Sequence, residues 1–179
     1  LDIRVTCGWS GQLQKRLENV ELDSVLAMGP AQQTFREGLY GRALCPLDIV
    51  VIAGKNLRLR AQDLRDCAAH GWLLNPDGCG LRAGLIRTLQ AQGLSLPLSV
   101  ETPSAQLQIS LVAQGLGLGL VPKAALMKHP LRDEIDILTL ADFQPQVHIW
   151  QVSTHDLGSL QHPVTFFSGK VVQALSVTD

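Results

Sequence analysis

The sequence predicts an α/β fold with at least partly parallel sheets. Three observations carry this. Segments of strand length alternate with segments of helical period along the chain. The run Leu47-Asp48-Ile49-Val50-Val51-Ile52-Ala53 is almost continuously apolar and is bounded by Gly54, the pattern of a strand covered on both faces. Ser, Asn, Gly and Pro stand where helices should begin and end.

Leu1 to Thr6 alternates apolar and polar residues, which predicts a half-buried strand. Ser10 is placed to cap a helix over residues 11–19, with Leu13 and Leu17 on one face and Asn19 at a left-handed cap. Leu22 to Met28 predicts the next strand, stopped by Gly29-Pro30. Residues 31–46 are ambiguous and read as a crossing segment, with Leu39, Tyr40, Ala43 and Leu44 partly buried. After the 47–53 strand come a short helix over Ala61–Ala69 and a short strand, Trp72-Leu73-Leu74. The loop Asn75 to Gly80 leads into a helix carrying Leu81, Leu85, Ile86 and Leu89, closed by Gly93. Leu96–Thr102 predicts a strand, Ala105–Gln114 a helix, Leu118–Val121 a strand and Lys123–Met127 a short helix. Strands near Ile135–Leu140 and Val147–Val152 follow. The last helix has Pro163 at its first position and Val164, Phe167, Val171 and Leu175 on one face.

Composition excludes several classes. Apolar residues make up 46% of the 179 and charged residues 17%, which excludes a disordered chain. The net charge is -1, whereas a domain that grips nucleic acid by itself carries a basic excess. Direct nucleic-acid binding by these residues is therefore not expected. Cys7, Cys45, Cys67 and Cys79 are too few and too scattered for a disulfide framework, and no CxxC occurs. Reduced thiols in a cytoplasmic protein are expected. The most apolar window, Leu111–Met127, is broken by Gln114, three glycines, Pro122 and Lys123, so no membrane span or membrane partner is expected. There is no internal repeat and no low-complexity tract. The chain opens at Leu1 without Met, inside an alternating run, and is expected to be a fragment.

No constellation for catalysis stands out. The glycines of Gly115-Leu116-Gly117-Leu118-Gly119 follow a helix and precede a strand, the reverse of a phosphate-binding loop. They are read as a helix cap and a close-packing strand. None of the five histidines lies at i, i+4 with another His or a Cys on a predicted helix, and a His155–Asp156–His162 grouping would lie in a loop. No metal and no cofactor are expected. There is no GxSxG elbow and no paired-carboxylate signature. What remains are helix N-termini fed by strand-end loops: Trp9-Ser10-Gly11, Gly78-Cys79-Gly80-Leu81 and Thr102-Pro103-Ser104. Each offers free backbone amides and a positive dipole end, which suits a small carboxylate. Ordinary capping without a ligand is the commoner reading on composition alone.

The order of the segments resembles one family. Leu17 to Leu26 is similar to the helix-to-strand passage of LysR-type transcriptional regulators, with Glu21-Leu22-Asp23 ahead of an apolar strand. Trp72-Leu73-Leu74, the Gly78–Leu81 loop and Arg82 resemble its second-lobe loop and helix. The most specific match is Leu111 to Pro122: an apolar helix end, Gly-x-Gly, an apolar strand and a proline. The closing strand and helix, with Phe166-Phe167, also fit. Val20 stands where the family has Gly, and Asn56-Leu57 where it has His-Pro.

The resemblance covers nearly the whole chain and is to the family's C-terminal effector-binding part. It implies two lobes like those of type 2 periplasmic binding proteins, each Rossmann-like and joined by crossing strands. Lobe I is expected at 1–35 plus 145–179 and lobe II at 36–144, with crossings near Gly29–Thr34 and Asp142–Val147. The winged helix-turn-helix, the linker helix and the effector domain's first strand and helix are expected to be absent from this chain, so that DNA is met only through the missing part. An effector in the interlobe cleft would be approached by Trp9, Ser10, Met28, Gly29 and Pro30 from lobe I. Cys79, Gly80, Leu81 and Thr102 would approach from lobe II. The resemblance implies no enzyme activity and a homodimer or tetramer, with Leu1–Thr6 against Leu96–Thr102 of a second chain.

Peroxide-sensing members carry a reactive Cys at the position of Gly80, and this sequence has no second Cys further on, which argues against redox sensing by Cys79. Trp9 is the one aromatic residue in the site loops, so a small organic acid is the default effector rather than an aromatic one. Two other readings compete. A transporter's solute-binding protein would share the fold and differ by a secretion signal. A small α/β enzyme would need a catalytic cluster and would turn its ligand over.

Overall fold

A computed structural model of the chain describes residues 3–154 and 156–176. In chain order the elements are α1 (Ser10–Glu18), β1 (Ser24–Gly29), β2 (Leu39–Gly54), β3 (Trp72–Leu74), α2 (Gly80–Ala91), β4 (Leu98–Glu101), α3 (Ala105–Ala113), β5 (Leu118–Pro122), α4 (Lys123–Met127), β6 (Ile135–Leu138), β7 (Gln146–Thr154) and α5 (Gln161–Ser176). They form two compact units, Leu1–Leu47 with Val147–Asp179, and Asp48–Gln146.

In the first unit β1 pairs antiparallel with β7, in register from Ser24 opposite Ser153 to Gly29 opposite His148. The alternation along β1 sends Val25 and Ala27 inward, where they meet Leu13 and Leu17 of α1 and Val152 of β7. Leu13 and Leu17 lie one helical turn apart, which is why a nine-residue helix can dock. The ring of Phe35 meets Trp150 edge-on, 5.4 Å between centroids. On α5 Ser168 is buried and donates to the Val164 carbonyl, 2.8 Å. Gln151 of β7, also buried, accepts from Arg42 at 2.8 Å.

In the second unit β2 pairs antiparallel with β5 and β6, while β3 is parallel to both β4 and β5. The core is Ile52, Leu73, Ile109, Val112, Val121, Leu126 and Ile135. Gly115 closes α3 at φ +81, with the Leu116 amide on the Leu111 carbonyl, 3.2 Å. Gly117, at φ +148, passes so close to Gly71 that a Cβ would overlap the Gly71 carbonyl oxygen. The glycine run is thus a cap and a close approach.

Several expectations are corrected. Leu1 and Asp2 lie outside the described residues; 3–9 form no regular element, and Ile3 and Val5 are exposed, because no strand pairs with them among the described residues. Alternation alone makes no strand without a neighbour. Asn19 is not left-handed (φ -81); Val20 is, at φ 59. The Val20 amide donates to Leu17 and the Glu21 amide to Arg16, the two bonds of a Schellman closure, with Val in the glycine position. The second half of the 31–46 crossing is strand, the start of the unbroken 16-residue β2, and Tyr40 and Ala43 in it are exposed.

Residues 61–69 make successive turns rather than a helix. Carboxylates of Asp66, Asp142 and Asp63 accept from the amides of Gln62, Leu64 and Asp66, so the backbone donors are diverted from a helical ladder. The 96–102 strand shortens to Leu98–Glu101. Pro163 is the third residue of α5, not the first, and Phe167 is 44% exposed while Ser168 takes the buried place. The chain passes between units at 47/48, inside β2, and at 146/147, at the start of β7; crossings were expected near Gly29–Thr34 and Asp142–Val147, and the second passage falls in that range.

Candidate functional site

Each unit carries candidate residues at the ends of its own strands. In the first, Ser10 is not the cap. It is the first residue of α1; Trp9 is the N-cap, without a side-chain cap bond. Because Ser10 already lies in the helix, its Oγ turns outward from the axis and accepts from the Met28 amide, 3.2 Å. This one bond joins the N-terminus of α1 to the carboxyl end of β1, and so brings Trp9, Ser10, Met28, Gly29 and Pro30 together. Gly29 has no room for a side chain, because the amide of Gln33 fills the place of its Cβ. The Pro30 carbonyl accepts from the Trp150 indole, 3.0 Å. The end of β1 also collects two buried polar atoms without a partner, Gln33 Oε1 and His148 Nδ1. His148 lies opposite Gly29 in the ladder.

In the second unit the site lies at the carboxyl ends of the parallel strands β3 and β4. The two loops leaving them are tied together by the Thr102 amide on the Leu74 carbonyl, 2.9 Å. Cys79 is the N-cap of α2 by its backbone alone and is buried; Gly80 follows in open space. Leu81 turns into the core face with Leu85 and Leu89, so its side chain is packing, and its backbone amide is what the site can use. Thr102 is buried and its Oγ1 accepts from the Ser104 amide, 3.2 Å. Ser104 caps α3, accepting from the Leu107 amide at 3.2 Å.

The cation of these loops, Arg82, is already engaged. Its Nη1 donates to Glu101 at 2.5 Å and to the Asn75 carbonyl at 3.3 Å. The groups left to each unit for an anion are the amides and dipole ends of its own helices, α1 in the first and α2 and α3 in the second.

Sequence reasoning missed four residues: Gln33, Asn75, Gln108 and His148. Gln108 was the most readable, since it stands one turn before Val112 on the face of α3 that must be buried. It is fully buried, and its Nε2 donates to Asn75 Oδ1 and to the Thr102 carbonyl. Gln33 and His148 depend on a strand pairing that no local pattern reveals. Among the described residues no group of three or more His, Cys, Asp or Glu could hold a metal ion. His155 lies outside the described residues, so its grouping with His162 does too. Cys67, outside the site, has its thiol pushed up to about 11 by burial and then by the carboxylates of Asp66, Asp142 and Asp63. Among the described residues no helix is long and apolar enough to cross a membrane.

Each of the two compact α/β units sets a helix N-terminus beside the ends of its strands. The chain belongs to the LysR substrate binding domain family, whose model matches residues 1–162. No curated protein matches it.

Among solved structures it is similar to the effector binding domain of QuiR in complex with shikimate: 17% identity, 93% of this chain and 79% of that one, TM-score 0.69. It is similar to the regulatory domain of CcmR from Synechocystis PCC6803 in complex with 2-PG: 16% identity, 95% and 80%, TM-score 0.73. It is also similar to a reduced form of OxyR from N. meningitidis: 18% identity, 92% and 76%, TM-score 0.64. At these identities the likeness shows a type 2 periplasmic-binding-like fold.

Proposed function

We propose that this chain senses a small organic anion, without chemical turnover, for a transcriptional regulator. The observation that carries the reading is the Ser10–Met28 bond, which sets the α1 N-terminus beside the end of β1. Its counterpart is the α2 N-terminus beside the ends of β3 and β4 in the other unit. Small-acid complexes of QuiR with shikimate and of CcmR with 2-PG support the ligand class.

One ligand engages both half-sites, the interlobe site that the family resemblance implies. Trp9, Ser10, Met28, Gly29 and Pro30 serve one side; Cys79, Gly80, Leu81 and Thr102 serve the other. A ligand that fits one arrangement of the units better than another shifts the population toward it. DNA is read by a separate domain, to which this shift is passed, in the cytoplasm and in a homodimer or tetramer. The edge strand β4, with Leu98 39% exposed, supports self-association there.

The test is a thermal-shift screen of the chain against small carboxylates, phosphorylated acids, sugars and amino acids. At about 100 times its dissociation constant, a ligand selective for the folded state adds about 2.7 kcal/mol, a rise of roughly 5–10 °C for a domain of this size. A hit among the acids that the variant Ser10→Ala weakens supports the reading. Hits confined to neutral sugars, or no hit in a cooperatively melting protein, contradict it.

A further inference from the structure

Gln108 carries an unmet hydrogen-bonding demand in the second unit. Its side chain is fully buried between the loops that follow β3 and β4. The orientation of its amide is settled by chemistry. The Thr102 carbonyl can only accept, so the group 3.2 Å from it is the nitrogen. The second hydrogen of that nitrogen goes to Asn75 Oδ1. Both donors are then spent, and Oε1 is left buried without a partner. A buried acceptor left unpaired costs about 1–3 kcal/mol, so such a group needs an explanation.

The surroundings narrow what could satisfy it. The two partners of the amide, Asn75 and Thr102, lead directly to the N-termini of α2 and α3. The Gly80, Leu81 and Arg82 amides of α2 have no partner inside the helix. Arg82 Nε is a further buried donor without a partner, on the side chain whose Nη1 holds the Asn75 carbonyl. Donors for an anion and one lone acceptor are thus linked through the same Asn75 loop. A simple carboxylate satisfies the donors and leaves Oε1 bare. A carboxylate with a hydroxyl on a neighbouring carbon satisfies both.

We infer that Gln108 Oε1 is the acceptor that selects a hydroxy acid over the corresponding unsubstituted acid. This rests on the effector reading and names its ligand class. The carboxylate takes the amides of α2 and the hydroxyl donates to Oε1. A non-hydroxylated analogue leaves Oε1 unpaired in the complex, and sites built around a hydroxyl reject such analogues strongly.

The test compares matched pairs by calorimetric titration of the chain: malate with succinate, lactate with propionate, and glycolate with acetate. In at least one pair the hydroxy acid should bind tenfold or more tightly. The variant Gln108→Met, close in volume, should bring that ratio to within about twofold while the unsubstituted acid keeps its affinity. The wild-type ratio alone decides the matter if the variant does not fold. Equal affinities within every pair overturn the inference and leave the effector reading standing; they indicate an internal water on Oε1. A ratio that survives in a folded Gln108→Met protein overturns it as well. Binding of no acid at all overturns the effector reading, and the inference with it.

Discussion

At Val20 a β-branched residue closes α1 in a conformation that glycine adopts freely, φ 59, with its side chain 80% exposed. The left-handed conformation costs an ordinary residue about 1–2 kcal/mol. Glycine removes that strain but gains freedom in the unfolded chain, worth about 0.4–1 kcal/mol against it. Val20→Gly should therefore stabilise the protein by about 0.5–1 kcal/mol, a rise of a few degrees in Tm. An unchanged or lowered Tm would show that the helix end relaxes around valine at no cost.

Cys67 supplies a pH test. Its thiol is raised from 9.0 to about 11 in the fold, so between these values the native state holds a proton that the unfolded chain has lost. Stability from this group is complete below pH 9 and falls as pH rises toward 11. Cys67→Ala should flatten that part of a denaturation–pH profile. In the native protein at pH 8, exposed Cys7 should react with a maleimide long before buried Cys67.

Among the elements, those whose cause is local were legible and those whose cause is a neighbour were not. Ser104 caps α3, and Leu81, Leu85 and Leu89 line α2, because the relevant contacts lie within one or two turns. Ser10 misled because a serine before a helical pattern looks the same whether it caps the helix or occupies its first turn. The Met28 amide decides it, and Met28 is 18 residues away. Leu1–Thr6 misled because its alternation is only half of a strand's requirement. The 61–69 helix failed because Asp142, far along the chain, takes the Leu64 amide. On α5 the buried place of Ser168 depends on Gln151 of β7, which accepts from it at 3.3 Å.

The same logic makes Gly117 the most sensitive glycine of the second unit. Gly117→Ala combines a disfavoured backbone with a Cβ that overlaps the Gly71 carbonyl, and Leu73 stands close behind. It should cost several kcal/mol, or abolish folding of that unit. Gly80→Ala, in open space, should leave stability nearly unchanged. Equal melting temperatures for the two variants would mean that the close approach of β5 to Gly71 does not hold in solution.

For the whole molecule, the α/β class and the two-part organisation were readable from the alternation and from the resemblance. The placing of the first crossing was not, because β2 passes from one unit to the other without a break in strand character at Leu47–Asp48. Half of the site was readable too. Loops that end strands and begin helices announce themselves by Gly, Pro, Ser and Thr. The polar atoms that line them, on Gln33, Asn75, Gln108 and His148, do not.

The central claim is that this chain recognises a small acid and leaves it intact. It is tested most directly by ligand-observed NMR of the purified chain with malate, shikimate and their unsubstituted analogues, followed over a day. The expected result is saturation transfer to at least one hydroxy acid, competed away by excess of the same acid, with signal areas that do not change. No transfer from any acid, or steady loss of the ligand's signals with the rise of a product, would contradict it.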